Sequence, residues 1–422
     1  MIKAAAVQVD ITPPVGCSMA GYMERKGASV GLHDPLKAQA LVLSCNGKTH
    51  VIVTLDLIAV ALPFTDAVRS FAAEKLQIEG QDILLACSHT HSGPQGFLAS
   101  MPSMQEKSDQ MLVDITLRKI TGAIQWASSL LQPVKLSIGS DVGTGIGLNR
   151  NDPMAGSIDQ QVIMLRVDDL EGKPIAVLFN YGCHATVMGS ENRLISADFP
   201  GAARRTLESL FPGTIFMFCN GGAGDVSTRF TRRKASFDEV QRFGHILAAA
   251  VSRAMNTAEA SQSTHLASRR MHADLPVKPF PTKETIERML AELRDQLVAM
   301  RQDNQPKGEQ RKLETCIEGA EIQMLLAAHF ENQPSVQAEL KMHRIGDLIL
   351  IAIPGEPFSK TVLDIKAHFQ PNPVMVVSYA NDYKGYIPEV VEGKTATYED
   401  FVSPYTGGAA QAIKQAIMAV KE

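Results

Sequence analysis

Ile83-Leu84-Leu85-Ala86-Cys87 runs directly into Ser88-His89-Thr90-His91-Ser92-Gly93, and the fold is read outward from this stretch. Five apolar residues bounded by turn formers read as a buried strand. A buried strand that empties into a polar loop belongs to the α/β arrangement, where sites gather beyond the carboxyl ends of strands. In extended backbone, residues i and i+2 point to the same side, so His89 and His91 are expected to face one site together. Imidazole is the commonest metal ligand and the usual proton shuttle near neutral pH. Taken alone, the pair fits a metal or catalytic site and a pair of locally hydrogen-bonded loop histidines equally well.

The rest of the chain supports the same fold class. Met1 to Asp10 alternates like a strand, and Leu41-Val42-Leu43 and Val51-Ile52-Val53-Thr54-Leu55 flank the hairpin signal Asn46-Gly47. Apolar runs at 175–179, 214–218, 347–353 and 374–378 read as further strands. Helices are expected over 67–76, 108–131, 201–210 and 237–255, and from about 408 to the end. The segment 282–330 differs: Ile286, Met289, Leu290, Leu293, Leu297 and Met300 recur at helical spacing, and the pattern breaks at Asn304-Gln305-Pro306-Lys307-Gly308. It reads as a helical hairpin inserted into the body, packed on the core, with a lid or a homo-oligomer contact as its other possible uses. The expectation is one mixed α/β (α+β) domain over 1–422, with mixed sheets flanked by helices.

Composition narrows the function. The 422 residues are 45% hydrophobic and 20% charged, as in ordinary globular proteins. A net charge of -4 gives no basic footprint for nucleic acid. No apolar run approaches the roughly 20 residues of a membrane span. The first residues lack the apolar core of a secretory signal, so a cytoplasmic protein is expected. The six cysteines contain no CxxC pair and read as free thiols.

Five strand-like runs break into loops that carry reactive side chains. They supply His89 and His91; Asn180-Tyr181-Gly182-Cys183-His184; Asn220 to Ser227; Pro354-Gly355-Glu356-Pro357; and Tyr379 to Tyr386. Parallel strands would bring these loops together. Imidazoles with a carboxylate suit a zinc site better than a cysteine-rich structural one. The glycines after Asn220 lack the GK[ST] of a phosphate loop, and Ser227 lacks a GxSxG elbow.

With these motifs in order, the chain resembles the neutral (alkaline, non-lysosomal) ceramidases in their catalytic N-terminal domain. The resemblance runs through Asp10-Ile11-Thr12-Pro13, Gly21-Tyr22, His89-Thr90-His91-Ser92-Gly93-Pro94, Asn149-Arg150, Gly224-Asp225-Val226-Ser227, Pro354-Gly355-Glu356 and the tyrosines around Tyr386. It implies a short form, without the signal peptide or C-terminal Ig-like domain of many members. It also implies one Zn2+ per chain, held by His89, His184, Glu356 and Tyr386, with Tyr383 the other candidate for the tyrosine. His91 would stand beside the metal as a catalytic partner, Arg150 and Tyr398 would contact the scissile amide and its oxyanion, and Ser227 matches a serine assigned as nucleophile. The implied activity is hydrolysis of an N-acyl amide, lipid or small molecule, through zinc-activated water. The other readings are a zinc-dependent ester or lactone hydrolase on a small anion, favoured by Arg229, Arg232, Arg233 and Lys234 near Ser227, and a non-catalytic zinc- or ligand-binding protein.

Overall fold

The protein is described from a computed structural model covering residues 1–98, 109–305, 307–389 and 397–420. Three sheets meet at one junction. The first contains β1 (Lys3–Asp10), β2 (Lys37–Cys45), β3 (Lys48–Leu55) and β4 (Ile83–Cys87), in the order β4-β3-β2-β1. Asn46 and Gly47 both take positive φ, 50° and 79°, as a tight hairpin between β2 and β3 requires. Helices α1 (Leu62–Leu76) and α2 (Gln110–Ser129) cover its outer face. The Asp109 side chain caps α2; Ser108, the expected start of that helix, lies outside the described residues.

The second sheet contains β5 (Lys135–Val142), β6 (Gln161–Asp168), β7 (Pro174–Tyr181) and β8 (Ile215–Asn220), in the order β8-β7-β6-β5. It is covered by α3 (Asp198–Leu210) and α4 (Phe237–Asn256). The third contains β9 (Leu266–Pro276), β10 (Ser335–Ile345), β11 (Leu348–Ala352) and β12 (Val374–Val377) in chain order. Helices α5 (Lys283–Gln302) and α6 (Lys307–His329) lie between β9 and β10, and Pro306 between them is outside the described residues. Helix α7 (Ser359–His368) leads to β12, the short α8 (Tyr398–Val402) follows, and α9 (Gly408–Met418) closes the chain against the third sheet. The expected helices and strands are present with shifted ends; β5, β6, β9 and β10 are additions that the sequence reading did not make.

Each sheet holds one parallel pair: β3 with β4, β7 with β8, and β11 with β12. The apolar inner faces of all three sheets share one core, including Leu41, Leu84, Leu165, Leu178, Leu350 and Met375. Asparagines stitch the carboxyl ends of these strands together. Asn220 Nδ2 donates to Ser88 O at 3.0 Å, Asn180 Nδ2 to Val376 O at 3.0 Å, and the Leu85 N–H donates to Asn381 Oδ1 at 2.9 Å. With the Tyr379 N–H donating to Gly355 O at 3.1 Å, five loops from three sheets are fixed at one place. All six cysteines are free. Among the described residues no helix is long and apolar enough to cross a membrane.

Candidate metal centre and active site

His89 and His91 converge, but not by strand alternation. His89 has a φ of +62°, a left-handed backbone uncommon outside glycine. The two rings meet across the resulting turn, nearly perpendicular at 82°. Each ring is oriented from behind. His89 Nδ1 donates to Ile58 O at 2.8 Å, His91 Nδ1 to Gly21 O at 3.0 Å, and His184 Nδ1 to Ala223 O at 2.6 Å. A carbonyl can only accept, so in its neutral form each ring carries its proton on Nδ1 and turns a bare lone pair on Nε2 toward the others. Gly21 has a φ of +100°, and a Cβ there would lie 2.5 Å from His91 Nδ1; only glycine lets the carbonyl come so close.

The three imidazoles offer ring nitrogens within 4.8 Å of one another. His91 Nε2 stands 3.1 Å from His89 Nε2. Glu356 Oε2 is 3.1 Å from His184 Nε2 and 3.7 Å from His89 Nε2. The Tyr386 hydroxyl lies 3.2 Å from His184 Nε2. Burial lowers the pKa of His89 to about 4 and that of His91 well below its usual value, so both rings are neutral at pH 7. Burial pushes the Glu356 carboxyl up, but the hydroxyl of Tyr383 that donates to it helps hold it below the usual carboxylate range, and it stays ionised.

The donor set therefore fits a metal ion. Three imidazole lone pairs and a carboxylate oxygen crowd together, and no proton is available between two Nε2 lone pairs 3.1 Å apart. Lone pairs facing one another repel, and a cation among them relieves that repulsion while each Nδ1–H stays held by its carbonyl. Nitrogen and carboxylate donors of this kind suit zinc or another first-row divalent ion.

The remaining expected residues sit around this cluster. The two-residue strands Glu356–Pro357 and Tyr386–Ile387 pair in parallel and place Glu356 opposite Tyr386. Val226–Ser227 pairs with Leu148–Asn149, and just beyond this pair the Arg150 N–H donates to Asp225 O at 2.7 Å. The Ser227 hydroxyl accepts the Arg229 N–H at 3.3 Å. The Arg150 guanidinium lies 5.4 Å from the Tyr386 ring centroid, and its Nη2 donates to Gly224 O at 2.7 Å. Tyr398 packs edge-on to Tyr386 at 6.2 Å. Burial pushes the Tyr398 hydroxyl up to about 12, so it remains a proton donor.

Four neighbours escaped the sequence reading in their roles. Tyr383 donates its hydroxyl to Glu356 Oε1 at 2.5 Å and Tyr379 to Oε2 at 3.2 Å, and the Tyr379 ring stacks on His89 at 3.8 Å. Arg25 donates to His91 O at 2.6 Å and to Ala20 O at 2.7 Å. Glu399 forms an ion pair with Arg150, Oε1 to Nε 2.5 Å. The crowding of tyrosines after β12 was a visible signal for the first two; Arg25 and Glu399 carried none.

Comparison with known proteins shows the family and the fold. The profile of the family described as neutral/alkaline non-lysosomal ceramidase, N-terminal, matches residues 4–234. A neutral ceramidase of Pseudomonas aeruginosa is 29% identical over 255 residues, 54% of this chain and 38% of that protein. Neutral ceramidase A of Dictyostelium discoideum is 28% identical over 253 residues, 52% of this chain and 34% of that protein. These matched stretches span little more than a third of either relative. The crystal structure of the Pseudomonas aeruginosa neutral ceramidase shares the fold with a TM-score of 0.78 at 23% identity, over 99% of this chain and 73% of that one.

Proposed function

Because the chain belongs to the neutral/alkaline non-lysosomal ceramidase family, we propose that it is a zinc-dependent hydrolase of an N-acyl amide bond. The observation that carries the proposal is the convergence of carbonyl-anchored imidazoles and Glu356 on one point. His89, His184, Glu356 and Tyr386 would hold the ion, with Tyr383 and Tyr379 fixing the carboxylate of Glu356. Zinc, when bound, supplies Lewis-acid polarisation of a carbonyl and acidifies water.

The protein groups account for the rest. His91, neutral and held by Gly21 O, presents a lone pair that takes a proton on the attacking side and returns it to the leaving amine. Arg150 and Tyr398 offer N–H and O–H donors to the developing oxyanion, each worth about 2.7–4 kcal/mol in comparable sites. Ser227 is read as a positioning residue whose hydroxyl is held by the Arg229 N–H. The small-anion reading finds less support, since Arg232 of the basic loop is tied to the protein, donating to the carbonyls of Thr186 and Val187. We also place the protein in the cytoplasm, supported by its unpaired thiols.

The test is a screen of zinc-loaded protein against N-acyl amides, ceramide among them, beside small acidic amides, esters and lactones. The reading expects amide turnover that chelation removes and zinc restores, with one metal per chain. Full turnover by metal-free protein would overturn it, and so would turnover confined to esters or lactones.

A further inference from the structure

Arg150 is the one expected site cation whose charge meets a buried carboxylate. Its Nε lies 2.5 Å from Glu399 Oε1, and Glu399 is 1% exposed. The other carboxylate oxygen, Oε2, accepts from Asn151 Nδ2 at 3.0 Å. Both atoms of the Glu399 carboxylate are thus bound to residues of the Arg150 loop. Glu399 itself is carried on α8, whose start is fixed by a capping box between Thr397 and Asp400. Helix α8 is braced in turn by α6: Val402 and Tyr398 pack with Ile322, Leu326 and Phe330, and Phe401 lies against Gly319.

We propose that Glu399 is a specificity-determining residue: it cancels the charge of Arg150, so that the site uses Arg150 as a hydrogen-bond donor to an uncharged carbonyl and rejects a carboxylate. The inference rests on the reading of Arg150 as a group that faces the substrate. An arginine free of counter-ion would hold a carboxylate by a charge-assisted, two-pronged contact. With Glu399 in place, an anionic ligand meets a second negative charge at the same guanidinium, and like charges brought together disfavour the wrong partner. The Arg25 guanidinium is directed to backbone carbonyls, donating to Ala20 O and His91 O. The nearest counter-charge to Arg150 is therefore one side chain on a helix that α6 braces.

The test is calorimetric titration of zinc-supplemented protein with hexanoate and with hexanamide, a matched charged and uncharged pair. Wild type, Glu399→Gln, Glu399→Ala and the double variant Arg150→Met/Glu399→Gln are compared, with thermal unfolding as the check on folding. Removing Glu399 is expected to tighten hexanoate about tenfold or more and to leave hexanamide within about twofold. The double variant is expected to return hexanoate to the wild-type level. Equal hexanoate affinity in wild type and both single variants overturns the role of Glu399, as does a gain that survives loss of Arg150. Turnover plays no part in the titration. A protein that hydrolyses no amide thus fails the proposed function without prejudging this result.

Discussion

Among the described residues two clusters of buried imidazoles stand out, and one of them has the form of a site. At the junction of the three sheets, His89, His91 and His184 each spend Nδ1 on a backbone carbonyl and aim Nε2 at the others. Between the first and third sheets, His50 and His343 meet edge to face at 5.1 Å, both fully buried, and no hydrogen bond reaches any of their four ring nitrogens. The Asp82 carboxylate stands 3.5 Å from His50 Nε2, and Lys341 beside them donates to Gly80 O and Ile83 O. Grouping histidines is thus not what makes a metal centre. A carbonyl behind each ring fixes the tautomer and the direction of the lone pair, and that directional anchoring separates the two clusters.

The largest effect that tests this contrast is loss of an anchored ring. His89→Ala or His184→Ala is expected to abolish stoichiometric zinc, read by elemental analysis, and to lower any hydrolysis by on the order of a thousandfold or more. His343→Ala, by contrast, should leave zinc content untouched. Zinc lost from the His343 variant would erase the distinction between the clusters.

A smaller effect sharpens it. Tyr383→Phe removes the hydroxyl that holds Glu356 Oε1 without touching an imidazole. Zinc affinity, measured by competition with a chelator, should fall about 10- to 100-fold while thermal stability of the metal-free protein changes little.

The second cluster predicts the opposite sign. Burial lowers the pKa of His50 from 6.5 to about 4 and that of His343 well below 6.5, with Asp82, Lys48 and His265 facing His50, and Lys341 and Arg69 facing His343. The unfolded chain takes up these protons below about pH 6.5 and the folded protein does not. Stability should therefore be full above pH 6.5 and fall by a few kcal/mol as the pH drops toward 4, read by denaturant titration of metal-free protein. His343→Leu should flatten part of that slope. At pH 7 the same substitution should raise stability by about 1–2 kcal/mol, because two buried nitrogens without partners are replaced by a similar apolar volume. A destabilised His343→Leu protein would show that the ring has a partner after all.

How much of this was legible follows from local pattern. The strands β4, β7, β8, β11 and β12 are short apolar runs that end at loops rich in Gly, Pro or Asn, so both existence and end were visible. The long pair β9 and β10 was not, because Ser268-Arg269-Arg270 and Glu339, Lys341, His343 and Arg344 break the apolar pattern with side chains that pair across the sheet and with α1. His89, His184, Glu356 and Tyr386 stand at the ends of strand-like runs, the family resemblance implied them as a ligand set, and the structure brings them together. Glu399 had no such mark. It is one glutamate beside Tyr398, and only the fold brings α8 to Arg150, so no spacing in the chain reports it.

The stitching of the three sheets has a consequence for how the protein matures. The donors arrive on segments that run from His89 to Tyr386: the imidazoles are anchored by carbonyls in the loops of the first two sheets, whereas Glu356 and Tyr386 come with the third. A chain still emerging from the ribosome has no centre to fill, since the first two sheets alone offer imidazoles without the carboxylate. On the proposed reading, metal uptake would follow assembly of the full donor set and would report on it. A misassembled copy would be recognisable by staying empty rather than by binding the wrong ion.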